Sequence, residues 1–576
     1  MKIKVSDYIA DFLHAQEIDC VFEMAGGMIT HILDSLHRRS KINIISVHHE
    51  QSASFAVDAH GRITGKPGVA LATSGPGATN LLTGIGSCYF DSSPGLFITG
   101  QVNLHEQKGD GKIRQLGFQE TDIVSMAEPI TKKCFRVITA ESIPAILQEA
   151  YKICISDRPG PVLIDLPMNL QRVEIEAEVP QKILANKYKD IDILSELKQL
   201  VEAIKLAKRP LVLAGAGINC AQAKQEFLKF IELINIPVVT SLLGLDVLAF
   251  DHPLRVGFIG SYGNRWANIA LGTCDLLLVI GSRLDIRQTG ADTKGFAENK
   301  KIFQVDCLSE EVNNRVLNCI PIIVDIKFFL EMFIKNCEEI KFNEPKEWNN
   351  EIKTLQNKWL DIKELGEVKG INPNYFIHLL SQYSKKAIGY VADVGSHQMW
   401  SAQSLELTNN QRFITSGGMG AMGFALPASI GFSFAGYKTP VVVIAGDGGF
   451  QLNIQELQTI VRNKLPIKII ILNNKNLGMI RQFQDSYFEG RYQSTYWGYS
   501  APNFEAIAKA YEISAKTISA SDEIISALEW LWTDPNLPAL LQVMIDPYLN
   551  VYPKIAFGKP ITEMEPFSKP IEMEGT

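Results

Sequence analysis

Short runs of apolar, β-branched residues recur along the chain, and each is followed by a glycine-containing turn and a longer stretch with helical periodicity. Strands that are apolar at nearly every position are buried on both faces, which is typical of parallel sheets covered by helices. In such folds the functional residues collect in the loops at the carboxyl ends of the strands. The pattern predicts an α/β chain of doubly wound parallel sheets, with strands at NIISV (43–47), GVALAT (68–73), GLFITG (95–100), PVLIDLP (161–167), PLVLAGAG (210–217), DLLLVIG (275–281), TPVVVIAGDG (439–448) and IKIIILNN (467–474).

The length of 576 residues is too great for a single hydrophobic core, and chains of this size usually contain about three or four domains. Two polar, charged stretches interrupt the pattern of strands and helices, one from Pro167 to about Asp192 and one from Ile323 to about Val368. We interpret both as linkers. We therefore expect three α/β domains, at 1–180, about 190–340 and 365–576.

The composition excludes several classes of protein. The net charge is −7 and no long basic block occurs, so a nucleic-acid partner is not expected. No apolar run reaches the ~18–20 residues that a membrane-spanning helix needs, and the N-terminus has no apolar signal core. The nine cysteines are scattered and never form CxxC, which disfavours disulfides and zinc sites. We expect a cytoplasmic protein.

Two short motifs end successive strands in the last third of the chain: Gly-Asp-Gly at 446–448 and Asn-Asn at 473–474. If these strands are adjacent, Asp447 and Asn474 lie side by side. Their side-chain oxygens can then hold a divalent cation, and phosphate groups can complete its coordination shell. Gly446, Gly448 and Gly449 would let backbone N–H groups approach those phosphates. Either motif alone also fits an ordinary turn, but both at this spacing should occur by chance in about one such chain per thousand. We interpret the pair as a magnesium and phosphate site.

This pair of motifs resembles the cofactor signature of thiamine-diphosphate enzymes. From VFEMAGG (21–27) through GFALPASIG (423–431) to about Tyr511, the chain is most similar to acetohydroxyacid (acetolactate) synthases. The resemblance implies that Mg²⁺ binds the side chains of Asp447 and Asn474 and the backbone carbonyl of Asn476. The segment DVGSHQMW (393–400) resembles the stretch that contacts the diphosphate, although one of its residues stands where the synthases usually have glutamine. The implied cofactor contacts are Gly395, Ser396, His397 and Met479, and Ser396 is the residue that stands where the synthases usually have glutamine.

The resemblance also implies how the cofactor is activated. Thiamine diphosphate becomes reactive when a carboxyl group binds its pyrimidine ring, and in the family the HEQ segment carries that glutamate, here Glu50. By itself, Glu50 would also fit a first-turn residue that complements the helix dipole. The loop SGGMGAMGF (416–424) resembles the one that bends the cofactor, which implies Met422 beneath it and the backbone of Gly420 at the pyrimidine. An ordinary glycine-rich helix entry with buried methionines is the alternative.

In the family, the first-domain and third-domain halves of the site meet across a subunit interface. The resemblance therefore implies a homodimer or a homotetramer. It also implies a reaction that begins with decarboxylation of pyruvate. Protonation would then give a decarboxylase, an oxidant would give a pyruvate oxidase, and a second carbonyl substrate would give a carboligase.

Several segments favour the carboligase. GFQETDIV (117–124) resembles the synthase segment whose glutamine, here Gln119, helps to place the acceptor beside Phe118. SRLDIRQTG (282–290) resembles the stretch whose second arginine, here Arg287, grips the acceptor carboxylate in the bidentate manner that suits a guanidinium group. A surface-loop arginine is the alternative interpretation. MIRQFQDSYFEGRYQST (479–495) resembles the mobile substrate cover of the synthases.

Three departures leave the acceptor open. Phe483 stands where the biosynthetic synthases have tryptophan, Met28 follows Gly27 where a small residue is usual, and Ser261-Tyr262 replace Met-His. Changes of this kind alter which acceptor fits. A carboligase that uses a nucleotide-linked keto sugar, or a pyruvate-oxidase-type oxidoreductase, therefore remains an alternative. A non-catalytic protein would be expected to lose Glu50, Asp447 or Asn474, and all three are present.

The middle domain resembles the part of the synthases that binds a largely structural FAD. The matching loops are GAGI (215–218), TSLLGLD (240–246) and GSRLD (281–285), and glycines at strand ends would admit the pyrophosphate. Similar loops occur in relatives whose middle domain is empty or binds another nucleotide. The residues implied in FAD binding are Gly215, Gly217, Ser241, Leu242, Gly281, Arg283 and Asp285, with Asp306 at a ribose hydroxyl or on the adenine side.

Overall fold

The computed structural model describes residues 1–183 and 191–571. It contains three six-stranded sheets, parallel throughout and interleaved with helices, which confirms the predicted α/β class. The strands are Cys20–Glu23, Asn43–Ser46, Gly68–Ala72, Gly95–Gln101, Lys133–Arg136 and Pro161–Pro167 in the first sheet; Pro210–Ala214, Val238–Thr240, Arg255–Phe258, Leu276–Ile280, Lys301–Asp306 and Ile320–Ile323 in the middle sheet; and Gly389–Ala392, Arg412–Thr415, Val441–Gly446, Ile467–Asn473, Ser514–Ile518 and Ala539–Met544 in the third.

The strand order places an opening for ligands in each sheet. Numbered along the chain within each sheet, the strands of the first and third sheets follow the order 2-1-3-4-6-5, and those of the middle sheet follow 3-2-1-4-5-6. In all three the order reverses beside the first strand. Ligands of open α/β sheets bind at the carboxyl ends of the strands, at such a reversal.

Helices cover both faces of the sheets. The helix Glu50–Thr64 begins where the His49 ring accepts a hydrogen bond from the backbone N–H of Gln51, and it ends at Gly65, whose φ of +69° suits a left-handed C-cap. In the described ranges, no helix is both long and apolar enough to cross a membrane. The longer helices are Val5–Ala15, Thr30–Arg39, Glu50–Thr64, Leu82–Asp91, Ile143–Ile155, Leu194–Leu206, Lys224–Ile234, Arg265–Thr273, Ile326–Cys337, Lys346–Lys358, Pro373–Tyr383, Ser396–Ser404, Ala425–Ala435, Gly478–Tyr487, Phe504–Ala510 and Ile524–Leu531.

The first and third sheets share one apolar core. The helix Glu50–Thr64 packs against the helix Ala425–Ala435, and they approach so closely that a Cβ on Gly431 would lie 2.0 Å from the Ala56 carbonyl oxygen. Arg62 also joins the two domains, because it pairs with Asp58 and donates a hydrogen bond to a backbone carbonyl of the third domain. The two domains therefore form one unit through their helices.

The C-terminal tail crosses back onto the middle domain. Its strands Lys554–Ile555 and Met564–Glu565 form an antiparallel pair. Arg265 of the middle domain donates to the backbone carbonyls of Met564 and Glu565 and pairs with Glu364 at 2.7 Å. The predicted domain limits stay a prediction: positions 184–190, beside the first boundary, and 572–576 lie outside the described residues.

Candidate active site

The motifs that end the two neighbouring strands of the third sheet lie at the same edge. Val441–Gly446 and Ile467–Asn473 pair in parallel, with Gly446 opposite Leu472, so Asp447 and Asn474 leave the sheet side by side. Both side chains are buried. The backbone N–H of Asn476 contacts the Asn474 side-chain oxygen at 3.3 Å, while the Oδ1 atom of Asn476 is buried without a hydrogen-bond partner among the described residues.

The environment of Asp447 suits a cation. Burial raises the pKa of its carboxyl to about 6, and the Tyr499 hydroxyl donates to its Oδ2 atom at 2.9 Å. A hard divalent cation would compensate a buried carboxylate, and carboxylate and amide oxygens are the ligands that it prefers. The Asp447 carboxylate and the Asn474 side-chain oxygen therefore fit Mg²⁺. Tyr499 was not identified from the sequence, because its segment, 488–500, carries no regular pattern that places it near Asp447.

A second group of residues surrounds the same edge at the reversal of strand order. His397 follows the neighbouring strand Gly389–Ala392, and a Cβ on Gly446 would lie 2.7 Å from its Nδ1 atom. Burial lowers the pKa of His397 to about 3, so the imidazole is neutral, and its Nε2 atom is buried without a partner in the described part of the chain. A Cβ on Gly478 would lie 2.6 Å from the Ser396 hydroxyl oxygen. These close approaches and the free imidazole nitrogen fit a diphosphate group.

The loop that contains Met422 is held against this edge by Asp393. The Asp393 carboxylate accepts hydrogen bonds from the backbone N–H groups of Gly423 at 3.0 Å and Ala425 at 2.9 Å. The Met422 methyl group lies 3.3 Å from the position of a Cβ on Gly448. Sequence reasoning missed Asp393 as a functional residue, although its place directly after a buried strand is a signal for one.

Two further glycines of the predicted site, Gly449 and Gly420, differ in the space that surrounds them. Gly449 approaches Asp393 so closely that a Cβ there would lie 2.4 Å from the carboxylate. Gly420 has a φ of +64°, and no atom lies within 4 Å of where its Cβ would be. The first glycine is needed for packing, and the second leaves open space above the loop.

The first domain gathers its predicted residues around the turn that contains Gly75 and Gly77. Glu50 is buried, and its Oε2 atom accepts a hydrogen bond from Asn80 at 2.9 Å. A Cβ on Gly77 would lie 3.2 Å from the Oε1 atom of Glu50, and one on Gly75 would lie 2.9 Å from the Cβ of Gln119. Asn80 was not found from the sequence, because only the fold brings its helix to Glu50.

The pocket residues of the first domain lie at the same edge. The backbone N–H of Met28 contacts the hydroxyl oxygen of Thr73 at 3.3 Å, and Thr73 lies between the strand Gly68–Ala72 and the Gly75 turn. The position beside the Gly27 Cα is open, with no atom within 4 Å of a Cβ built there. Phe118, next to Gln119, is 81% exposed.

Within the described residues, no hydrogen bond or ion pair joins Glu50 to Asp447 or Asn474. Glu50 is instead linked to the third domain through the residues that follow it. Ser52 donates to the Asn453 Oδ1 atom at 3.1 Å, and Asn453 donates to the Gln51 Oε1 atom at 3.1 Å. Among the described residues, Glu50 and Asp447 thus belong to separate hydrogen-bonded groups.

The middle domain holds a cavity of about 1040 Å³. Seven of the residues expected to bind FAD line this cavity, and Gly215 does not. A Cβ on Gly215 would lie 2.1 Å from the Gly281 carbonyl oxygen, so this glycine allows two strand ends to approach each other. Arg158 of the first domain pairs with Asp306 at 2.8 Å. The size and the convergent polar groups suit a large cofactor. The lining residues from the expected set are Gly217, Ser241, Leu242, Gly281, Arg283, Asp285 and Asp306.

Sequence reasoning missed the contribution of the first domain to this cavity. Lys152, Asp157 and Arg158 also line it, just before the strand Pro161–Pro167. The turn DRPG (157–160) was the available signal, since charged residues in a turn before a buried strand often have a partner outside their own domain.

Arg287 also lines the cavity. Its carbonyl oxygen accepts hydrogen bonds from the backbone N–H of Ser261 at 2.6 Å and from the Ser261 hydroxyl at 3.2 Å. Ser261 in turn accepts a hydrogen bond from the backbone N–H of Ile555 in the C-terminal tail at 2.8 Å. The remaining predicted residues, Met479 and Phe483, lie on the helix Gly478–Tyr487, which begins beside Asn474.

Family profiles and curated relatives agree with this arrangement. Profiles of thiamine pyrophosphate enzymes match in three segments: the N-terminal TPP binding domain at residues 3–126, the central domain at 197–333 and the C-terminal TPP binding domain at 393–543. The chain is 36% identical to a probable acetolactate synthase large subunit of Methanococcus aeolicus, over 93% of this chain and 91% of that protein. It is 34% identical to the acetolactate synthase large subunit of Lactococcus lactis, over 97% of this chain and 95% of the relative.

A plant protein extends the comparison. The chain is 35% identical to the chloroplastic acetolactate synthase of Arabidopsis thaliana, over 96% of this chain and 83% of that protein. The matches run through all three sheets. The three matched domains in this order, with relatives that align over nearly the full length, show that the chain belongs to the thiamine pyrophosphate enzyme family and is acetolactate synthase-like.

Proposed function

We propose that the chain is a thiamine-diphosphate- and Mg²⁺-dependent carboligase that decarboxylates pyruvate and transfers the two-carbon acetyl unit to a second 2-keto acid. The observation that carries the proposal is the cluster of Asp447, Asn474 and Asn476 at the edge of the third sheet, in a chain similar along its length to acetolactate synthases. The enzyme class that follows is a transferase.

The residues present fit the cofactor. Asp447, Asn474 and the Asn476 carbonyl would hold Mg²⁺, and Gly395, Ser396, His397, Gly448 and Gly449 would hold the diphosphate. The buried, unpartnered Nε2 of His397 supports the diphosphate assignment, because it lacks the partner that a bound group would give it. When bound, thiamine diphosphate supplies a thiazolium carbon that adds to the keto group and accepts the electron pair left by departing CO₂.

The side chains of this protein would then bind, orient and move protons. Glu50 would hold a proton at the pyrimidine ring, with Asn80 fixing the orientation of its carboxyl group. Met422 would support the cofactor from below, in the loop held by Asp393. Gln119 and Arg287 would place the acceptor, the arginine through two parallel hydrogen bonds to a carboxylate.

The proposed site needs two subunits. Glu50 and Gln119 lie in one cluster and Asp447 and Asn474 in another, and the exposed ring of Phe118 lies beside the first. A second copy of the chain would bring one cluster to the other and cover the ring, which would also exclude water from the reaction. We therefore propose a homodimer, or a homotetramer built from such dimers.

The cavity of the middle domain supports a bound FAD. Its glycine-lined strand ends and its volume suit a dinucleotide. Asp306 pairs with Arg158 and could also bind a ribose hydroxyl. The nine cysteines are all free thiols, which favours a reducing compartment such as the cytoplasm. The keto-sugar and oxidase alternatives are not favoured, since the relatives compared above carry the name acetolactate synthase.

Purified protein incubated with pyruvate, thiamine diphosphate and Mg²⁺ tests the proposal directly. We expect one CO₂ and one acetolactate per two pyruvates, and loss of both when EDTA removes the metal. An anaerobic incubation should give the same yield. Release of peroxide in air, or CO₂ without acetolactate, would contradict the proposal.

A further inference from the structure

Four aromatic rings gather where the helix Gly478–Tyr487 meets the C-terminal tail. Phe483 lies 4.7 Å from Tyr487 and 5.9 Å from Phe488, and Tyr487 meets Phe557 of the tail edge to face at 6.5 Å, all between ring centroids. We call Phe483, Tyr487, Phe488 and Phe557 the aromatic wall. It combines two segments that are far apart in sequence, so it exists only in the folded chain.

The aromatic wall lies next to the site proposed above. The helix that carries Phe483 starts at Gly478, which packs against Ser396 and Asn474. Phe483 is the fifth residue after Gly478, so it follows the cofactor end of the helix by about one and a half turns, or ~7.5 Å. One border of the wall is therefore the cofactor edge.

The other border is Arg287. From Phe557, the tail runs back two residues to Ile555, whose backbone N–H donates to the Ser261 carbonyl oxygen at 2.8 Å. Ser261 donates to the Arg287 carbonyl oxygen at 2.6 Å. The backbone of Arg287, the residue proposed to bind the acceptor carboxylate, is thus connected to the tail segment of the wall through two successive backbone hydrogen bonds.

Phe557 is held in place rather than left on a loose end. Its carbonyl oxygen accepts a hydrogen bond from the backbone N–H of Ile571 at 3.0 Å. Lys554, three residues earlier, pairs with Glu565 at 3.0 Å and lies 5.8 Å from the centre of the Tyr487 ring. The backbone that carries the Phe557 ring is therefore held on both sides, so less chain has to be ordered when a ligand binds the ring.

The wall still exposes apolar surface. Phe483 is 39% exposed and Phe488 and Phe557 are each 42% exposed, although all three lie among other rings. Clustered rings that stay open to solvent next to a site mark a surface that binds an apolar group. A methyl group, as in pyruvate, is too small to cover several rings.

We propose that the acceptor half of the site selects 2-keto acids that carry an aromatic ring beyond the keto carbon, and that Phe557 is a specificity-determining residue for them. The inference rests on the proposed carboligase function. Arg287 binds the carboxylate of such an acceptor, and the aromatic wall packs against its ring. Pyruvate, which has only a methyl group, gains much less from the wall.

The reaction balances with either acceptor. The bond between C1 and C2 of pyruvate breaks and CO₂ leaves. A new bond forms between C2 of pyruvate and the keto carbon of the acceptor, whose oxygen takes one proton from solvent. The product is a 2-acetyl-2-hydroxy acid, and no oxidant or reductant is consumed.

A competition experiment tests the inference. The wild-type enzyme, with its cofactors, is given a fixed pyruvate concentration and increasing phenylpyruvate, and both products are quantified by mass spectrometry. We expect the product from phenylpyruvate to dominate at equal acceptor concentrations. In Phe557→Ala, the ratio of the two products should fall roughly three- to tenfold, because the variant removes one ring from an apolar contact. Phe557→Leu, which keeps apolar bulk, should restore part of the ratio.

Phe567→Ala is the matched control. Phe567 is a phenylalanine of the same tail and is 70% exposed; it packs against Trp359 and Arg265 and, in the described part of the chain, has no ring contact with the wall. Its product ratio should equal that of the wild type. If the wild-type enzyme makes no acetolactate and releases no CO₂ from pyruvate, the proposed function itself fails. If it makes acetolactate but little phenylpyruvate product, or if Phe557→Ala leaves the ratio unchanged, only the present inference is overturned.

Discussion

At the scale of single residues, Glu50 combines burial with one strong hydrogen-bond partner. Asn80 donates to one carboxylate oxygen, and the turn at Gly77 approaches the other. The carboxyl group is therefore fixed in orientation, as a group that moves a proton at a defined atom must be. No other buried acid of the first domain lies at the Gly75 turn among the described contacts.

Glu50→Gln should abolish most of the turnover and leave cofactor binding intact. Glutamine has the same size but cannot exchange a proton, so we expect kcat to fall about 10²- to 10⁴-fold. Isothermal titration should give a thiamine diphosphate affinity close to that of the wild type, since the diphosphate site lies elsewhere in the chain. Glu141→Gln, an exposed glutamate of the same domain, should behave as the wild type. Undiminished kcat in Glu50→Gln would show that another group performs the proton transfer.

Residues of the candidate site differ in how far the sequence could reveal them. Asp447 and Asn474 could be predicted because each directly ends an apolar strand, and neighbouring parallel strands bring such positions together. Asn80 and Tyr499 could not be assigned their contacts in this way. Their partners lie on other elements, and only the packing of those elements decides which polar groups meet.

At the scale of helices and strands, the contact between the first and third domains depends on one small residue. Gly431 lies inside the helix Ala425–Ala435, where glycine is intrinsically unfavourable by ~1 kcal/mol relative to alanine. The close approach of Ala56 explains why a side chain is absent there.

Gly431→Ala should destabilise the protein despite the better helix propensity of alanine. The new methyl group would lie 2.0 Å from the Ala56 carbonyl oxygen, so the two helices must separate. Overpacking of this kind costs about 1–3 kcal/mol, which exceeds the gain in propensity. A lower midpoint of thermal unfolding at a fixed scan rate would show it. Gly27→Ala, where a Cβ meets no atom within 4 Å, serves as the control for stability, and an equal midpoint for both variants would refute the argument.

The strand Pro161–Pro167 carries a buried carboxyl group, Asp165, that accepts hydrogen bonds from Thr99 at 2.8 Å and Gln101 at 3.1 Å on the neighbouring strand. Burial raises its pKa to about 6. The folded chain therefore binds this proton more tightly than the unfolded chain, whose aspartates have a pKa of ~3.9. The stability from this group is present below about pH 4 and is lost as the pH rises through about 6, by roughly 3 kcal/mol in total.

Asp165→Asn should remove that pH dependence. An amide of the same shape carries no charge, so the variant should unfold at a higher temperature than the wild type at pH 8, and the difference should shrink at pH 5. Thermal midpoints at both values measure it. Asp110→Asn, at an exposed position, should follow the wild type at both. Parallel curves for wild type and Asp165→Asn would mean that the carboxyl group does not titrate in this range.

Burial alone does not decide which strands the sequence reveals. The eight apolar runs all became strands of the three sheets, and they include the largely exposed edge strand Asn43–Ser46. The strands that the runs do not include are exposed edge strands, such as Lys133–Arg136 and Ser514–Ile518, but also buried strands, such as Cys20–Glu23 and Gly389–Ala392. An apolar run of about four residues is too short for its pattern to distinguish a strand from part of a helix.

At the scale of the whole molecule, the first and third domains share one strand order, and their helices pack against each other inside one chain. This packing uses the helix that Glu50 begins, yet the described hydrogen bonds and ion pairs include none between Glu50 and Asp447. The order of the motifs along the sequence does not tell which copy of the third domain faces which copy of the first. A site shared between two subunits therefore stays a prediction.

A complementation experiment with two inactive variants tests the shared site. Glu50→Gln damages only the first-domain half, and Asp447→Ala damages only the third-domain half. If each site combines halves from two subunits, a mixed dimer contains one site with both halves intact and one with both halves damaged. Random pairing makes about half of the dimers mixed, so co-expression should restore about a quarter of the wild-type sites.

The homodimers serve as controls within the same experiment. Each variant expressed alone should remain nearly inactive, and mixing after purification should restore activity only as fast as subunits exchange. A double variant with Glu50→Gln and Asp447→Ala in one chain, co-expressed with the wild-type chain, should give mixed dimers in which each site has one damaged half. Such dimers should therefore be inactive, whereas a site built within one chain would leave their wild-type subunit active. If the two single variants fail to complement each other while the mixed dimers with the double variant stay half active, the site lies within one subunit.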